Sequence, residues 1–120
     1  MIHRGNMESY NVVIIGAGPA GLRCAEILGG TGLSVLLLDQ KSSVGPKTCA
    51  GGLRLSGNYL TLPFQMTLTF RSHHCILNGK EHPVSLKNPL HIIDRSDLGL
   101  YQLDLIKRHG DPVYHSRDSR

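Results

Sequence analysis

The sequence has 120 residues, 40% hydrophobic and 18% charged, with 14 glycines, no tryptophan and a formal net charge of +4. That length holds one modest domain, and many glycines with few aromatics favour α/β packing over an all-β sandwich. The basic residues are scattered apart from Lys107-Arg108 and the tail arginines Arg117 and Arg120, so the concentrated, aromatic-interleaved basic face of a nucleic-acid binder is missing.

Other classes fall away as quickly. No stretch approaches the roughly 18 continuous apolar residues of a membrane-spanning helix, and Met1–Asn6 lacks the apolar run of a secretory signal. Cys24, Cys49 and Cys75 are odd in number and lack the short spacing of a zinc or redox motif. A reducing cytoplasm is the expected compartment.

Residues 1–9 read as a disordered extension, or as one preceding an alternative start at Met7, because ordered patterning begins near Tyr10. Asn11–Ile15 carries a β-branched run without polar alternation, which predicts a strand buried on both faces. Pro19–Leu28 places Leu22, Ala25 and Leu28 at helical spacing. Its proline sits near the start, where a missing N–H does least harm, and Gly29, Gly30 and Gly32 end it. Ser34–Leu38 predicts a second buried strand, closed by Asp39. Strand, helix and strand within about 30 residues make one βαβ unit with parallel strands and a right-handed crossover.

Beyond Lys41 the texture changes. Lys41–Gly57 is a long loop rich in Gly, Ser and Lys, of the kind that is functional or disordered. Phe64, Met66, Leu68 and Phe70 alternate with Gln65, Thr67 and Thr69, which predicts a strand. Cys75–Leu77 and Val84–Leu86 flank Asn78-Gly79 and predict a hairpin. Ser96 is placed to cap a helix carrying Asp97 in its first turn, Lys107, Arg108 and His109 in its last, and Leu98, Tyr101 and Leu105 on one face. Gly110 would stop it. Val113–His115 is a weak third candidate for the parallel sheet, before the polar run Ser116–Arg120.

The chemistry starts at Val12–Leu22, "VVIIGAGPAGL", where a buried strand runs into G-x-G-x-x-G and a helix. Gly16 makes the tight turn, Gly18 lets the backbone approach a pyrophosphate, and Gly21 lets helix and strand pack closely. Pro19 and Ala20 lie in the same turn, whose free N–H groups and helix dipole attract an anion. Asp39, 18 residues after Gly21, is placed to accept hydrogen bonds from ribose hydroxyls. The bland alternative is an ordinary α/β turn with a surface acid. FAD and NAD share the ADP half, so the fingerprint alone leaves the dinucleotide open.

The next stretch narrows it. Val44–Leu53, "VGPKTCAGGL", together with "VVIIGAGPAGL" and "VLLLD", resembles the geranylgeranyl reductase family of flavoproteins, within the larger group of aromatic-hydroxylase-like FAD enzymes. The resemblance implies a Rossmann-like FAD/NAD(P)-binding domain, a βαβ start joined to a small antiparallel hairpin. It implies that Cys49, Ala50 and Gly52 lie along the flavin. It also implies that Arg95, in Ile92–Leu103, reaches toward FAD from the start of a helix. The implied activity is hydride reduction of isoprenoid double bonds. FAD is then the cofactor, NAD(P)H the reductant of a longer parent, an isoprenoid the substrate, and the membrane surface a place where that parent could sit.

Alternatives stay open at this point. They are an FAD-dependent monooxygenase or another flavin oxidoreductase of the same superfamily, and a truncated nucleotide-binding module without turnover. The acid is Asp39 where many relatives have Glu, and residues 56–63 are brief for the family. A later Gly-Asp motif and a substrate domain are missing. The expectation is therefore a partial FAD-binding domain over residues 10–120, an incomplete amino-terminal fragment inactive on its own.

Three further groups have competing readings. Cys49 could be a loop thiol without a role, since there is no local base that would lower its pKa. Cys24 is expected in the core. His73, His74 and Cys75 do not make a metal site, because adjacent strand residues face opposite ways and two ligands are too few. Asp94 and Arg95 could instead be a surface ion pair at the helix start.

Overall fold

Four β-branched residues, Val12–Ile15, form strand β1, and helix α1 (Pro19–Leu28) follows directly. Next come β2 (Val35–Asp39), the two-residue β3 (Gly52–Leu53), a single 3₁₀ turn at Phe64–Met66, β4 (Leu68–Leu77), β5 (Lys80–Ile92), helix α2 (Arg95–His109) and β6 (Val113–Ser116). The computed structural model describes residues 7–54, 62–109 and 113–116. Its contacts group into two units: Met1–Pro46 with Gly99–Arg120, and Lys47–Leu98. Gly110, Arg117, Arg120, residues 1–6 and the short stretch at 56–61 lie outside the described residues.

In the first unit β1 and β2 pair in parallel, from Val12 opposite Val35 to Ile15 opposite Leu38. β6 adds in parallel to the other edge of β2, giving the order β1-β2-β6. The candidate strand at Val113 is thus a real one. Asn11 and Ser34 lock the strand starts together: the Asn11 N–H donates to Ser34 Oγ and the Ser34 N–H to Asn11 Oδ1, both at 2.9 Å. Ala17, Leu22, Ala25, Leu37, Val44 and Ile106 form the core, with Ile14 and Leu103 packed against it.

Burial of β1 departs from the sequence expectation. Only the face covered by α1 is shielded, and on the other Val13 is 50% and Ile15 86% exposed. An unbroken apolar run signals a strand in a parallel sheet, but what covers each face depends on neighbours that the run does not encode. Cys24 is likewise exposed rather than in the core, because Leu22 and Ala25 take the inward face of α1.

The second unit holds the antiparallel sheet β3-β5-β4. Asn78 and Gly79 turn the hairpin with φ of 50° and 73°, the positive pair of a tight two-residue connection whose twist matches the strands. The hairpin is longer than the sequence pattern indicated, pairing from Leu68–Ile92 to Leu77–Lys80 with an irregularity between Phe70 and Ser72. Its first strand starts at Leu68 and not at Phe64. The Met66 N–H bonds the Pro63 carbonyl at 3.0 Å, so the chain after Pro63 closes a 3₁₀ turn before it extends.

Helix α2 begins in the second unit and continues in the first. Its cap is Asp94, not Ser96: Asp94 Oδ1 accepts the Ser96 N–H at 2.8 Å, which places Ser96 inside the first turn. The fully buried positions are Leu98, Gln102 and Ile106, spaced four apart, whereas Tyr101 and Leu105 are only half-buried.

The end of β2 is tied to the turn after β1 by one carboxylate. Asp39 Oδ2 accepts the Ala17 N–H at 2.6 Å and Oδ1 the Lys41 N–H at 2.7 Å. Partial burial works to raise the pKa of Asp39. The backbone N–H groups of Ala17, Lys41 and Gln40 and the Lys41 charge outweigh it and hold the carboxyl below its usual range. A folded pKa below the unfolded one, about 3.9, gives stabilisation that is full above that value and is lost as pH falls through the folded pKa. Asp39→Asn should therefore flatten the acid limb of the stability profile below about pH 5, measured by urea unfolding across pH. An acid limb identical to that of the parent would contradict this assignment.

Candidate dinucleotide site

The three glycines after β1 answer different needs. Gly16 turns the chain at a φ of +108°, and its N–H continues the parallel ladder to the Leu38 carbonyl at 2.7 Å. A Cβ on Gly21 would run into the Gly16 carbonyl oxygen, so the helix can start this close to the strand only without a side chain there. Gly18 has neither reason. Its φ is −75°, open to any residue, and an added Cβ would meet nothing within 4 Å. The space beside Gly18 is vacant, and it lies at the N-cap of α1.

That end of the helix carries no competing side chain. Gly18 offers no capping side chain, and no acid occupies the first turn. The leading N–H groups of a helix have no partner within it, and here Gly18, Pro19 and Ala20 are all exposed. Backbone donors at a helix N-terminus are a binding place for phosphate groups. Asp39 stands beside the same turn through its bond to Ala17. The backbone N–H groups of Ala17, Lys41 and Gln40 act on its two oxygens, and a carboxylate has about four acceptor positions, which leaves capacity for a hydroxyl donor.

Gln102 belongs to this region and was missed in the sequence. Only 3% exposed, it donates from Nε2 to the Pro19 carbonyl at 3.2 Å and so braces the first turn of α1 from the core side. Its Oε1 is buried without a partner. The available signal was a polar residue midway between Leu98 and Ile106 on an apolar stripe.

In the second unit the structure gathers Cys49, Gly51 and Arg95. The Gly51 N–H donates to Cys49 Sγ at 3.4 Å. That bond, followed by one from the Arg95 side chain and by the charges of Arg95 and Lys47, lowers the thiol pKa against a small opposing effect of burial. The Arg95 contribution was not visible in the sequence, because Arg95 is distant along the chain, whereas Lys47 lies two residues from Cys49. Arg95 Nε is itself buried and without a partner, and the Asp94 carboxylate is engaged as the helix cap.

The paired glycines here also divide. Gly51 has a φ of +73°, and a Cβ on it would run into the Ile93 carbonyl oxygen; its own carbonyl accepts the Ile93 N–H at 3.0 Å. Gly52 is exposed, and a Cβ there would make only ordinary contacts, 3.5 Å to Leu90 at the closest. Ala50 is exposed beside them. His73 and His74 point to opposite faces of β4. His74 Nδ1 bonds Glu81 at 2.7 Å, and among the described residues no group of three or more His, Cys, Asp or Glu is placed to hold a metal ion.

Known proteins resemble this chain in sequence and in fold. A digeranylgeranylglycerophospholipid reductase of Methanothermobacter thermautotrophicus is 48% identical over 52 residues, which is 42% of this chain and 13% of the relative. The structure of a geranylgeranyl bacteriochlorophyll reductase-like protein from Thermoplasma acidophilum superposes with a TM-score of 0.71 at 16% identity, covering 92% of this chain and 30% of that one. Halogenase PltM, solved with phloroglucinol and FAD, superposes at 0.61 with 21% identity, covering 92% and 28%. These likenesses establish a Rossmann-type α/β fold and bear out the resemblance to geranylgeranyl reductases. The chain spans 12 to 13% of the length of such reductases, and no helix among its described residues is long and apolar enough to cross a membrane. Residues 4–65, just over half of the sequence, match the Thi4 family, and the chain belongs to that family.

Proposed function

We propose that the turn from Gly16 to Gly21 binds the pyrophosphate of FAD, and that this chain is the FAD-binding part of an oxidoreductase that reduces isoprenoid double bonds. The observation that carries the reading is the vacancy at Gly18. Conformation and packing would admit a side chain there, yet the chain keeps glycine where a phosphate would approach the N–H groups of α1. Pro19, Ala20 and Gly21 complete that turn, and Asp39 accepts a ribose hydroxyl with its spare acceptor capacity.

Cys49, Ala50, Gly52 and Arg95 enter the proposal on their own geometry. Gly52 leaves its backbone open to close approach, Cys49 presents a thiol of lowered pKa, and Arg95 keeps an unpaired donor at Nε. When bound, the flavin supplies hydride transfer, with NAD(P)H as reductant in a longer parent, while the chain binds and orients it. Residues 10–120 then make up a partial FAD-binding domain, working in the cytoplasm. The fold equally accommodates a flavin monooxygenase or halogenase. Product analysis of a longer parent, saturated isoprenoid against an oxygenated or halogenated product, separates the readings.

Calorimetric titration of the chain with FAD and with NAD tests the cofactor assignment. FAD should bind more tightly, and Gly18→Val should weaken it at least tenfold while leaving the unfolding midpoint in place. Gly21→Ala should instead cost about 1–3 kcal/mol of stability, the usual penalty for an extra carbon in a packed site. Tighter binding of NAD would overturn the assignment. A second experiment addresses the thiol loop: bound FAD should slow alkylation of Cys49 several-fold and leave Cys75 unchanged. Equal Cys49 labelling with and without FAD would remove it from the site.

A further inference from the structure

Gln102 stands on a stripe of α2 where packing alone would place an apolar residue. It lies midway between the buried Leu98 and Ile106 and is only 3% exposed. Its acceptor is wasted, because Oε1 is buried without a partner. A buried acceptor left unpaired costs stability, and an apolar side chain of the same shape would remove that cost. The Pro19 carbonyl does not need the amide either. In an α-helix the carbonyl of the first residue already accepts the N–H four residues on. Yet Gln102 Nε2 donates to that carbonyl at 3.2 Å, and the use of this bond lies at the other end of the same peptide.

The Pro19 carbonyl and the Ala20 N–H belong to one planar, trans peptide group, so they point in opposite directions from one rigid plate. Pro19 has no N–H to offer. Ala20, in the exposed segment Gly18–Ala20, therefore supplies the foremost N–H of α1, a donor without a partner inside the helix. Such donors are ordinarily held by an N-cap side chain. Gly18 has none, and no acid stands in the first turn, so the front of the helix stays clear. Gln102 steadies the same peptide from behind. Its bond to the carbonyl also polarises the N–H at the far end of the plate, since hydrogen bonds in a chain strengthen one another.

We propose that Gln102 is a positioning residue for the dinucleotide diphosphate: through the Pro19–Ala20 peptide it aims and strengthens the Ala20 N–H that donates to the phosphate. The chain keeps a buried amide there at a cost in stability, because a brace from the front would occupy the anion's place. The proposal rests on the FAD reading for the identity of the anion. The relay from Gln102 through Pro19 to Ala20 lies wholly within the first unit.

Gln102→Met is the test, a swap that keeps the volume and removes both polar groups. The whole parent and variant chains are titrated with ADP, inorganic pyrophosphate and adenosine, and the Ala20 amide is read in spectra of the isotopically labelled chains without ligand. The variant should bind ADP and pyrophosphate about three- to tenfold more weakly, the weight of one hydrogen bond. Adenosine, which reaches Asp39 but brings no phosphate, should bind both chains alike. The unfolding midpoint should equal or exceed that of the parent, since no unpaired oxygen is left in the core. The Ala20 amide proton should move upfield as its polarisation is lost.

Parent-like affinity for ADP in the Met variant would overturn the proposal, as would an Ala20 amide that does not move. So would an equal loss for adenosine, or a midpoint that falls along with the affinity, since either marks a side chain that only packs. Failure of the FAD reading looks different. The parent itself would then bind neither ADP nor pyrophosphate, and the Ala20 amide, read without ligand, would still decide the relay.

Discussion

Helix α1 lies so close to the end of β1 that the Gly16 carbonyl occupies the place where a side chain on residue 21 would be. That contact fixes the position of the helix start, and the rest of the first unit is arranged to keep it. Gly16 takes a φ of +108° to bring its carbonyl there. Asp39 holds the Ala17 N–H from the neighbouring strand, and Gln102 holds the Pro19 carbonyl from below. Three side-chain-free or side-chain-braced positions therefore aim one short row of N–H groups outward. An anion site built from backbone needs this kind of external bracing, since the donors themselves cannot be repositioned by choosing a rotamer.

The second unit repeats the device around a thiol. Gly51 abuts a carbonyl as Gly21 does, whereas a Cβ on Gly52 would make only ordinary contacts and one on Gly18 none within 4 Å. In each unit one glycine is demanded by the chain and another is not. The chain-demanded glycine secures the loop, and the other marks where a second molecule could approach the backbone. The same loop geometry that seats Gly51 turns its N–H onto Cys49. The chemistry of the thiol is thereby coupled to the fold of the loop and does not depend on a dedicated base.

How much of this was legible in the sequence depended on how local the determinant was. The βαβ start, the Asn78-Gly79 turn, the glycine stop of α1 and the late strand at Val113 all rest on short-range rules of propensity and turn chemistry, and all were read. Burial was read less well. The run Val12–Ile15 specified a strand, but exposure of Val13 and Ile15 follows from which elements cover the sheet. Cys24 illustrates the same limit on a helix, where one residue of rotation moves a side chain from core to solvent. Asp94 displaced Ser96 as the cap because both are good caps and only the backbone path chooses between them. Of the site, the glycines and Asp39 were legible as a motif. Gln102 and the pairing of Arg95 with Cys49 were not, since each joins residues far apart in sequence.

The central claim is that the N–H groups at the start of α1 are held ready for a pyrophosphate. The most direct measurement is a backbone amide spectrum of the isotopically labelled chain titrated with ADP, the part of the cofactor that carries those phosphates. The account predicts that the largest saturable shifts fall on Gly18, Ala20 and Gly21, with a smaller one on Ala17 through its bond to Asp39, while the hairpin amides stay still. Shifts absent from that turn at saturating ADP, or concentrated elsewhere in the chain, would contradict it.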